Sequence, residues 1–291
     1  MKILWLGWED LYATRRMKDA AREQGVHLEA LEIFDIAFIS DRQRTGIFHG
    51  EIDLLAAYDA LVIRTFYPYI SEALTIARLF RDAGKVVIDQ SLTDEGYAVS
   101  KEHDYILLAQ HGLPIPATRQ VFDPAEAEAF AREVGYPCIL KGIHGAHGST
   151  VFLVHNPEQL RHWLLRFPAG ELAVQEFLPA EQDYRVMTVG YRALPVIISR
   201  KPARGDFRTN FAVNARFSSR PLDSLPELGE LSEQASRLLR REFSGVDIRF
   251  KGDRPMILEV NRRPAFEGFE KATGFDVAGA FLKYILSRIP A

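Results

Sequence analysis

A single cysteine, Cys138, stands among 291 residues. It cannot close a disulfide within the chain, and no histidine–cysteine group has zinc-ligand spacing. A disulfide scaffold and a zinc fold are therefore excluded, and a reducing, cytoplasmic setting is expected. No apolar run approaches the ~18 residues that a membrane span needs, so no membrane partner is expected. The run from Met1 to Trp8 is too short for a secretory leader, and Glu9 and Asp10 follow it at once. Excess positive charge is missing as well. The 36 Lys and Arg against 39 Asp and Glu leave a formal charge of −3, which argues against a general nucleic-acid partner. No repeat or low-complexity tract interrupts the chain, and no Ser-His-Asp or Cys-His arrangement offers a covalent nucleophile. What is there, 47% hydrophobic and 26% charged residues, is the balance of a folded globular chain of about two domains.

Patterning divides that chain. In the first ninety residues, short apolar runs at 2–7, 28–33, 60–64 and 85–89 alternate with helical patterns at 11–23 and 71–83, which predicts parallel βαβ units. Ligands of parallel sheets bind beyond the carboxyl ends of the strands. Arg64 lies at such an end, either as a ligand contact or as a strand end in solvent. Ser100 is the expected N-cap of a helix reaching about Gln110, closed by Gly112, Pro114 and Pro116. Asp123-Pro124 opens a second helix that stops at Gly135-Tyr136-Pro137. Residues 138–141 and 172–178 read as strands, with a helix after Asn156-Pro157 between them. From Tyr184 the pattern turns antiparallel: hairpins at 185–199 and 245–261 flank a helix at 226–242, and a last helix covers about 276–288.

Three groups of residues carry candidate chemistry. Glu259 and Asn261 are two apart on one strand and share a face, and the hairpin brings Asp247 alongside. Oxygen-only ligation suits Mg²⁺ or Mn²⁺. Solvent-facing carboxylates are the other reading, although Val246, Ile248, Ile257, Leu258 and Val260 surround these residues with apolar side chains, where an unpaired carboxylate is costly. Lys141 ends an apolar strand and precedes a glycine-rich stretch holding Gly145 and Gly148. Such a turn lets backbone N–H groups approach phosphate oxygens beside a lysine, yet the order required of a Walker loop is absent and a plain hairpin turn competes. Finally, Arg192, Arg200, Lys201, Arg204, Arg208, Arg216 and Arg220 stand against Asp206 alone between 192 and 220. That excess marks an anion site or a solvated strand face.

The order of these features resembles the RimK-like group of ATP-grasp ligases, which includes glutamate ligases acting on ribosomal protein and ligases of lysine or arginine biosynthesis acting on a carrier. The most specific pieces are Gly205-Asp206-Phe207-Arg208-Thr209-Asn210, Gly245-Val246-Asp247, Glu259-Val260-Asn261, and the stretch from Glu267 to Gly274. The resemblance implies an ATP-grasp fold of mixed α/β and α+β class. It has an N-terminal parallel α/β domain at 1–95, a linker helix and small α+β lid at 96–178, and an antiparallel metal-binding domain at 179–291. By the same resemblance Lys101 and Lys141 contact ATP phosphates, Gly145 and Gly148 belong to a lid, and Gln175, Glu176, Phe177 and Leu178 form the adenine hinge. Asp183 holds the ribose. Arg200, Arg208 and Asn210 serve the phosphoryl oxygens, and Asp247, Glu259 and Asn261 carry two Mg²⁺ or Mn²⁺ ions. The implied reaction is ATP-dependent carboxylate–amine ligation through an acylphosphate in a homo-oligomer, a dimer or tetramer.

Two departures bear on substrate. Phe211-Ala212-Val213-Asn214-Ala215-Arg216 follows Asn210 where RimK-like ligases commonly show Arg-Gly-Gly. Arg262-Arg263-Pro264-Ala265 follows Asn261 where small residues are common. Both fall near the expected acyl and amine sites. Arg263, with Arg64, is expected to bind an extra carboxylate of an acidic amino acid, an acidic peptide or a carrier protein. The alternative is an ATP-binding regulatory or interaction protein of the same fold that has lost turnover.

Overall fold

The computed structural model describes residues 1–65, 68–94, 100–143, 150–179, 181–202 and 216–290. Strand β1 (Lys2–Leu6), helix α1 (Tyr12–Glu23) and strand β2 (His27–Leu31) open the chain. An antiparallel ribbon follows, β3 (Ala37–Ser40), β4 (Thr45–His49) and β5 (Ile52–Asp53), then the short helix α2 (Leu54–Ala57). The ribbon is a correction to the simple strand–helix alternation expected here. Its strands are short, β3 and β5 are largely exposed and β4 buries two adjacent residues, so none carries a clear period-2 pattern. Strand β6 (Ala60–Ile63), helix α3 (Ile70–Asp82) and strand β7 (Val86–Ile88) complete a parallel sheet of order β2-β1-β6-β7.

Helix α4 (Lys101–Gln110) starts where Ser100 Oγ accepts from the His103 backbone N–H at 3.3 Å. Four antiparallel strands come next, where two were expected: β8 (Thr118–Val121), β9 (Cys138–Gly142), β10 (Val151–Val154) and β11 (Leu172–Glu176), in the order β10-β9-β11-β8. Helices α5 (Pro124–Val134) and α6 (Pro157–Leu164) cover this sheet. Their caps are as expected, with Asp123 accepting from Ala125 N–H at 2.8 Å and Asn156 from Gln159 N–H at 2.9 Å. The glycine-rich stretch joins β9 to β10, which pair antiparallel with Lys141 opposite Val151, and residues 144–149 lie outside the described residues.

A five-stranded antiparallel sheet, β14-β13-β12-β15-β16, forms the rest. Its strands are β12 (Asp183–Val189), β13 (Arg192–Lys201), β14 (Arg216–Pro221), β15 (Phe243–Lys251) and β16 (Arg254–Asn261). Helix α7 (Pro226–Leu238) covers one face, burying Val186, Ile197, Val246, Ile248 and Val260. Helices α8 (Glu267–Thr273) and α9 (Val277–Arg288) close the chain. Alternation on the strands sends Met187, Leu194 and Ile198 to the opposite face, into a core shared with Trp5, Phe243, Phe266 and Phe281. Phe243 and Phe281 stack at 4.1 Å, so one apolar body joins the parallel sheet to the antiparallel one; truncating such a ring typically costs about 3–5 kcal/mol. No helix among the described residues is long and apolar enough to cross a membrane.

Candidate active site

The site is a ladder of charged side chains on one face of the five-stranded sheet. Register places Asp183 opposite Arg200, Arg185 opposite Asp247, and Asp247 opposite Glu259. Because side chains two apart share a face, these residues with Arg249 and Asn261 line up across four strands. Arg200 donates to Asp183 at 2.7 Å and reaches Asp247 at 3.0 Å, while Arg249 approaches the other oxygen of Asp183 at 3.6 Å. Arg185 grips both oxygens of Asp247, at 2.7 and 2.8 Å. Burial alone would raise the Asp247 carboxyl, but Arg185 and Arg200 outweigh it and hold the pKa at about 2.

Strand β16 is the last of its sheet, and its alternate carbonyls are taken by side chains from elsewhere. Tyr105 of α4 donates to the Leu258 carbonyl, Arg241 to that of Val260, and Arg64 to that of Arg262 at 3.3 Å. Arg241 is anchored in turn by both oxygens of Asp104, at 2.8 and 2.7 Å, and Arg262 by Asp89 at 3.2 Å and Ser91 at 2.9 Å. These bonds cover part of an edge that would otherwise face solvent, and they steady the strand that carries Glu259 and Asn261. Gly245, opposite Asn261, belongs to the same fit: a Cβ there would stand 2.8 Å from Pro264 Cβ.

Two lysines approach this strand from separate elements, one directly and one through Tyr105. Lys101, in the first turn of α4, pairs with Glu259 at 3.2 Å. Burial works against its charge, yet Glu259 wins and the pKa lies above the ordinary lysine value. Lys141, at the end of β9, is buried and donates to the Tyr105 hydroxyl at 2.6 Å, with its ammonium 4.1 Å from the centre of that ring. Desolvation pulls Lys141 down to about 7, with Glu259 opposing and Lys101 assisting. Among the described residues no carboxylate is bonded to Lys141, whose ammonium has the hydroxyl and the ring of Tyr105 against it.

The other sequence-predicted residues fall into place unevenly. Asp247, Glu259 and Asn261 come together as expected, with Asn261 Nδ2 donating to Asp247 at 3.2 Å. Gln175 is buried at the end of β11 and bonds Thr118 Oγ1 at 2.7 Å; Glu176 pairs with Lys251 at 2.5 Å; Phe177 and Leu178 follow, and the Leu178 carbonyl accepts from Arg249 at 3.1 Å. Asp183 is 1% exposed and pairs with Arg200 and Arg249, so its carboxylate braces the ladder. Arg64 is held by the protein itself: its guanidinium is buried over the rings of Trp5 and Phe243 and bonded to the Arg262 and Pro264 carbonyls, so it clamps the segment after β16. Arg263 stays exposed, with Nη1 on the Arg64 carbonyl at 2.5 Å. Arg208, Asn210, Gly145 and Gly148 lie outside the described residues. Sequence reasoning missed Arg185 and Tyr105. The first had a signal, a lone arginine two after Asp183 on a strand otherwise apolar; the second had none.

The donor set fits a hard divalent cation. Among the described residues no three His, Cys, Asp or Glu side chains cluster alone, but two carboxylates and a carboxamide on facing strands offer only oxygen ligands, which is what Mg²⁺ takes.

The sequence pattern of the RimK-like ATP-grasp domain matches residues 98–285. The chain belongs to the RimK-like ATP-grasp family. A ribosomal protein bS6–L-glutamate ligase of Shigella boydii serotype 4 is 27% identical to this family member over 300 residues, covering 98% of this chain and 95% of that protein. A probable alpha-L-glutamate ligase of Parasynechococcus marenigrum is 29% identical over 290 residues, 95% of this chain but 59% of that longer protein. Among solved structures, the ATP-grasp ligase PsnB complexed with a minimal precursor superposes with a TM-score of 0.74 at 19% identity, over 98% of both chains. The macrocyclase MdnC of Microcystis aeruginosa, bound with precursor peptide MdnA, gives 0.72 at 16% identity over 99% of this chain and 100% of that one. At such identities the superpositions establish the ATP-grasp fold. The family is one of carboxylate–amine ligases, and its RimK-like branch is where this sequence falls.

Proposed function

We propose that this chain joins a carboxylate to an amine at the expense of ATP, with an amino acid on one side and an acidic amino acid, peptide or carrier protein on the other. The observation that carries the reading is the convergence of Lys101, directly, and Lys141, through Tyr105, on the strand that bears Glu259 and Asn261 beside Asp247. Asp247, Glu259 and Asn261 would hold Mg²⁺, which supplies charge neutralisation at the phosphates. Phosphoryl transfer asks mainly for positioning and neutralisation, and the chain supplies both with fixed cations. A substrate carboxylate oxygen attacks the γ-phosphorus and the bond to the β-phosphate oxygen breaks, releasing ADP. The amine nitrogen then attacks the acyl carbon, the carbon–oxygen bond to phosphate breaks, and phosphate leaves as the amine loses a proton. Lys141 is the group best placed to hold an ammonium against the phosphates once they raise its pKa. Arg263, exposed just past the metal strand, takes an extra carboxylate of the acidic substrate.

The test is phosphate release from ATP with Mg²⁺ over a panel of amino acids, dipeptides and acidic peptides, with product mass spectrometry and Asp247→Ala/Glu259→Ala as the blank. Phosphate with a condensed product, absent in the blank, is the expected result. Nucleotide binding with no turnover on any pair would favour the ATP-binding protein without ligase activity, a reading to which the arginine-filled carboxylate of Asp247 lends some weight.

A further inference from the structure

Asp247 is the most heavily bonded carboxylate of the site. Its Oδ1 accepts from Arg185 Nε at 2.7 Å and Arg200 Nη2 at 3.0 Å; its Oδ2 accepts from Arg185 Nη2 at 2.8 Å and Asn261 Nδ2 at 3.2 Å. A carboxylate has about four acceptor positions, and four donors occupy them. Glu259 next to it is held by Lys101. A divalent cation approaching these two carboxylates therefore meets three cationic side chains and no open position on Asp247.

We propose that Arg185 and Arg200 lock Asp247 against divalent cations, so that nucleotide binds first and opens the metal site. This rests on the reading of Asp247, Glu259 and Asn261 as metal ligands. The two arginines play different parts. Arg185 spans both oxygens side by side, a geometry that Lys cannot reproduce. Arg200 touches Asp247 once, at 3.0 Å, and keeps Asp183 at 2.7 Å, so a polyphosphate draws Arg200 off Asp247 at the cost of one bond while its second anchor remains. That vacates one position on Oδ1 as negative charge arrives to offset the arginines. By linkage, the nucleotide then raises affinity for the ion by the factor through which the ion raises affinity for the nucleotide.

The experiment uses the full chain and two probes: Mn²⁺ alone, followed by the paramagnetic resonance signal of the free ion, and ADP binding in the presence of EDTA, followed by calorimetry. The wild type is expected to bind ADP in EDTA and to bind Mn²⁺ alone weakly. Arg185→Met is expected to tighten Mn²⁺ binding without nucleotide tenfold or more, and Arg185→Lys by less. Circular dichroism and thermal melting report whether each variant is folded, and the wild-type measurements test the ordering even if a variant is not. Mn²⁺ binding to the wild type that is equally tight with and without ADP overturns the lock while leaving the metal site standing. Unchanged or weakened Mn²⁺ binding in folded Arg185→Met also overturns it, making Arg185 a brace for Asp247. No Mn²⁺ binding under any condition, ADP included, overturns the lock and the metal-site reading together.

Discussion

On one wall of the site Lys141 is buried with a tyrosine hydroxyl and a tyrosine ring against its ammonium; on the other Asp247 is buried with two arginines and an asparagine around its carboxylate. Burial penalises the charge of both, and the outcomes are opposite. Lys141 falls to about 7, on the edge of losing its proton, whereas Asp247 is held at about 2 and never gains one at neutral pH. Desolvation is common to the two, and the partners decide. The lysine wall is incomplete without an anion, while the aspartate wall is electrostatically complete in the resting chain. On the proposed reading, one takes a phosphate and the other must give something up before it can hold a metal ion.

The most damaging way to break this contrast is Asp247→Ala. It removes the partner of Arg185 and Arg200 and leaves a half-buried and a buried guanidinium side by side, an imbalance expected to cost about 3–5 kcal/mol. Urea unfolding measures it, and phosphate release should vanish as well. Lys141→Met should do the reverse to the fold, leaving stability unchanged or raised because the charge is already disfavoured. ADP affinity should drop by ~10- to 100-fold, the range of a hydrogen bond to a charged group.

The pH dependence follows from the same residue. With its folded pKa near 7, below that of an unfolded lysine, the unfolded chain holds a proton that the folded chain lacks between about pH 7 and the ordinary lysine range. On this group's account stability rises with pH across that window. ADP binding at about pH 8 should take up a proton, seen as a buffer-dependent heat in calorimetry, and the uptake should be absent in Lys141→Met. Tyr105→Phe sharpens the comparison, since one hydroxyl serves both Lys141 and the Leu258 carbonyl. Losing it should lower stability by ~1–3 kcal/mol in a denaturant titration, because a buried carbonyl is left without its donor. Arg263→Ala, on the exposed rim, should spare the fold and raise the KM for the acidic substrate about tenfold, or ~1.4 kcal/mol. An unchanged KM would remove Arg263 from the substrate site.

Much of this was legible in one dimension. The capped helices at Ser100, Asp123 and Asn156 appear where their side-chain oxygens predict them, because a cap is settled within a few residues. The Asp247–Glu259–Asn261 set was legible for a similar reason: a two-residue spacing and a hairpin are local facts. The bonds of Arg64 and Asp183 were not legible because most of their partners come from far along the chain, Arg262 and Pro264 in one case and Arg249 in the other. At a strand end, an arginine that grips backbone and one that grips substrate look alike in sequence. The ribbon at Ala37–Ser40 and Thr45–His49 escaped notice because the first strand is largely exposed and the second buries two adjacent residues, Ile47 and Phe48, so neither alternates.

The sequence by itself determined the alternation of elements, the family, the apolar faces and the presence of two lysines and an oxygen-donor set. These follow from spacing, propensity and side-chain chemistry, which act over a few residues. Only the tertiary structure decided which charges are spent on holding the site together and which are left for ligands. Arg185, Arg200, Arg241 and Arg64 are all cations in the sequence, yet folding commits the first three to carboxylates and the fourth to backbone carbonyls. Lys141, by contrast, is left with a hydroxyl. That division depends on desolvation and on distances of about 3 Å between residues far apart in the chain, and these quantities exist only once the chain has folded.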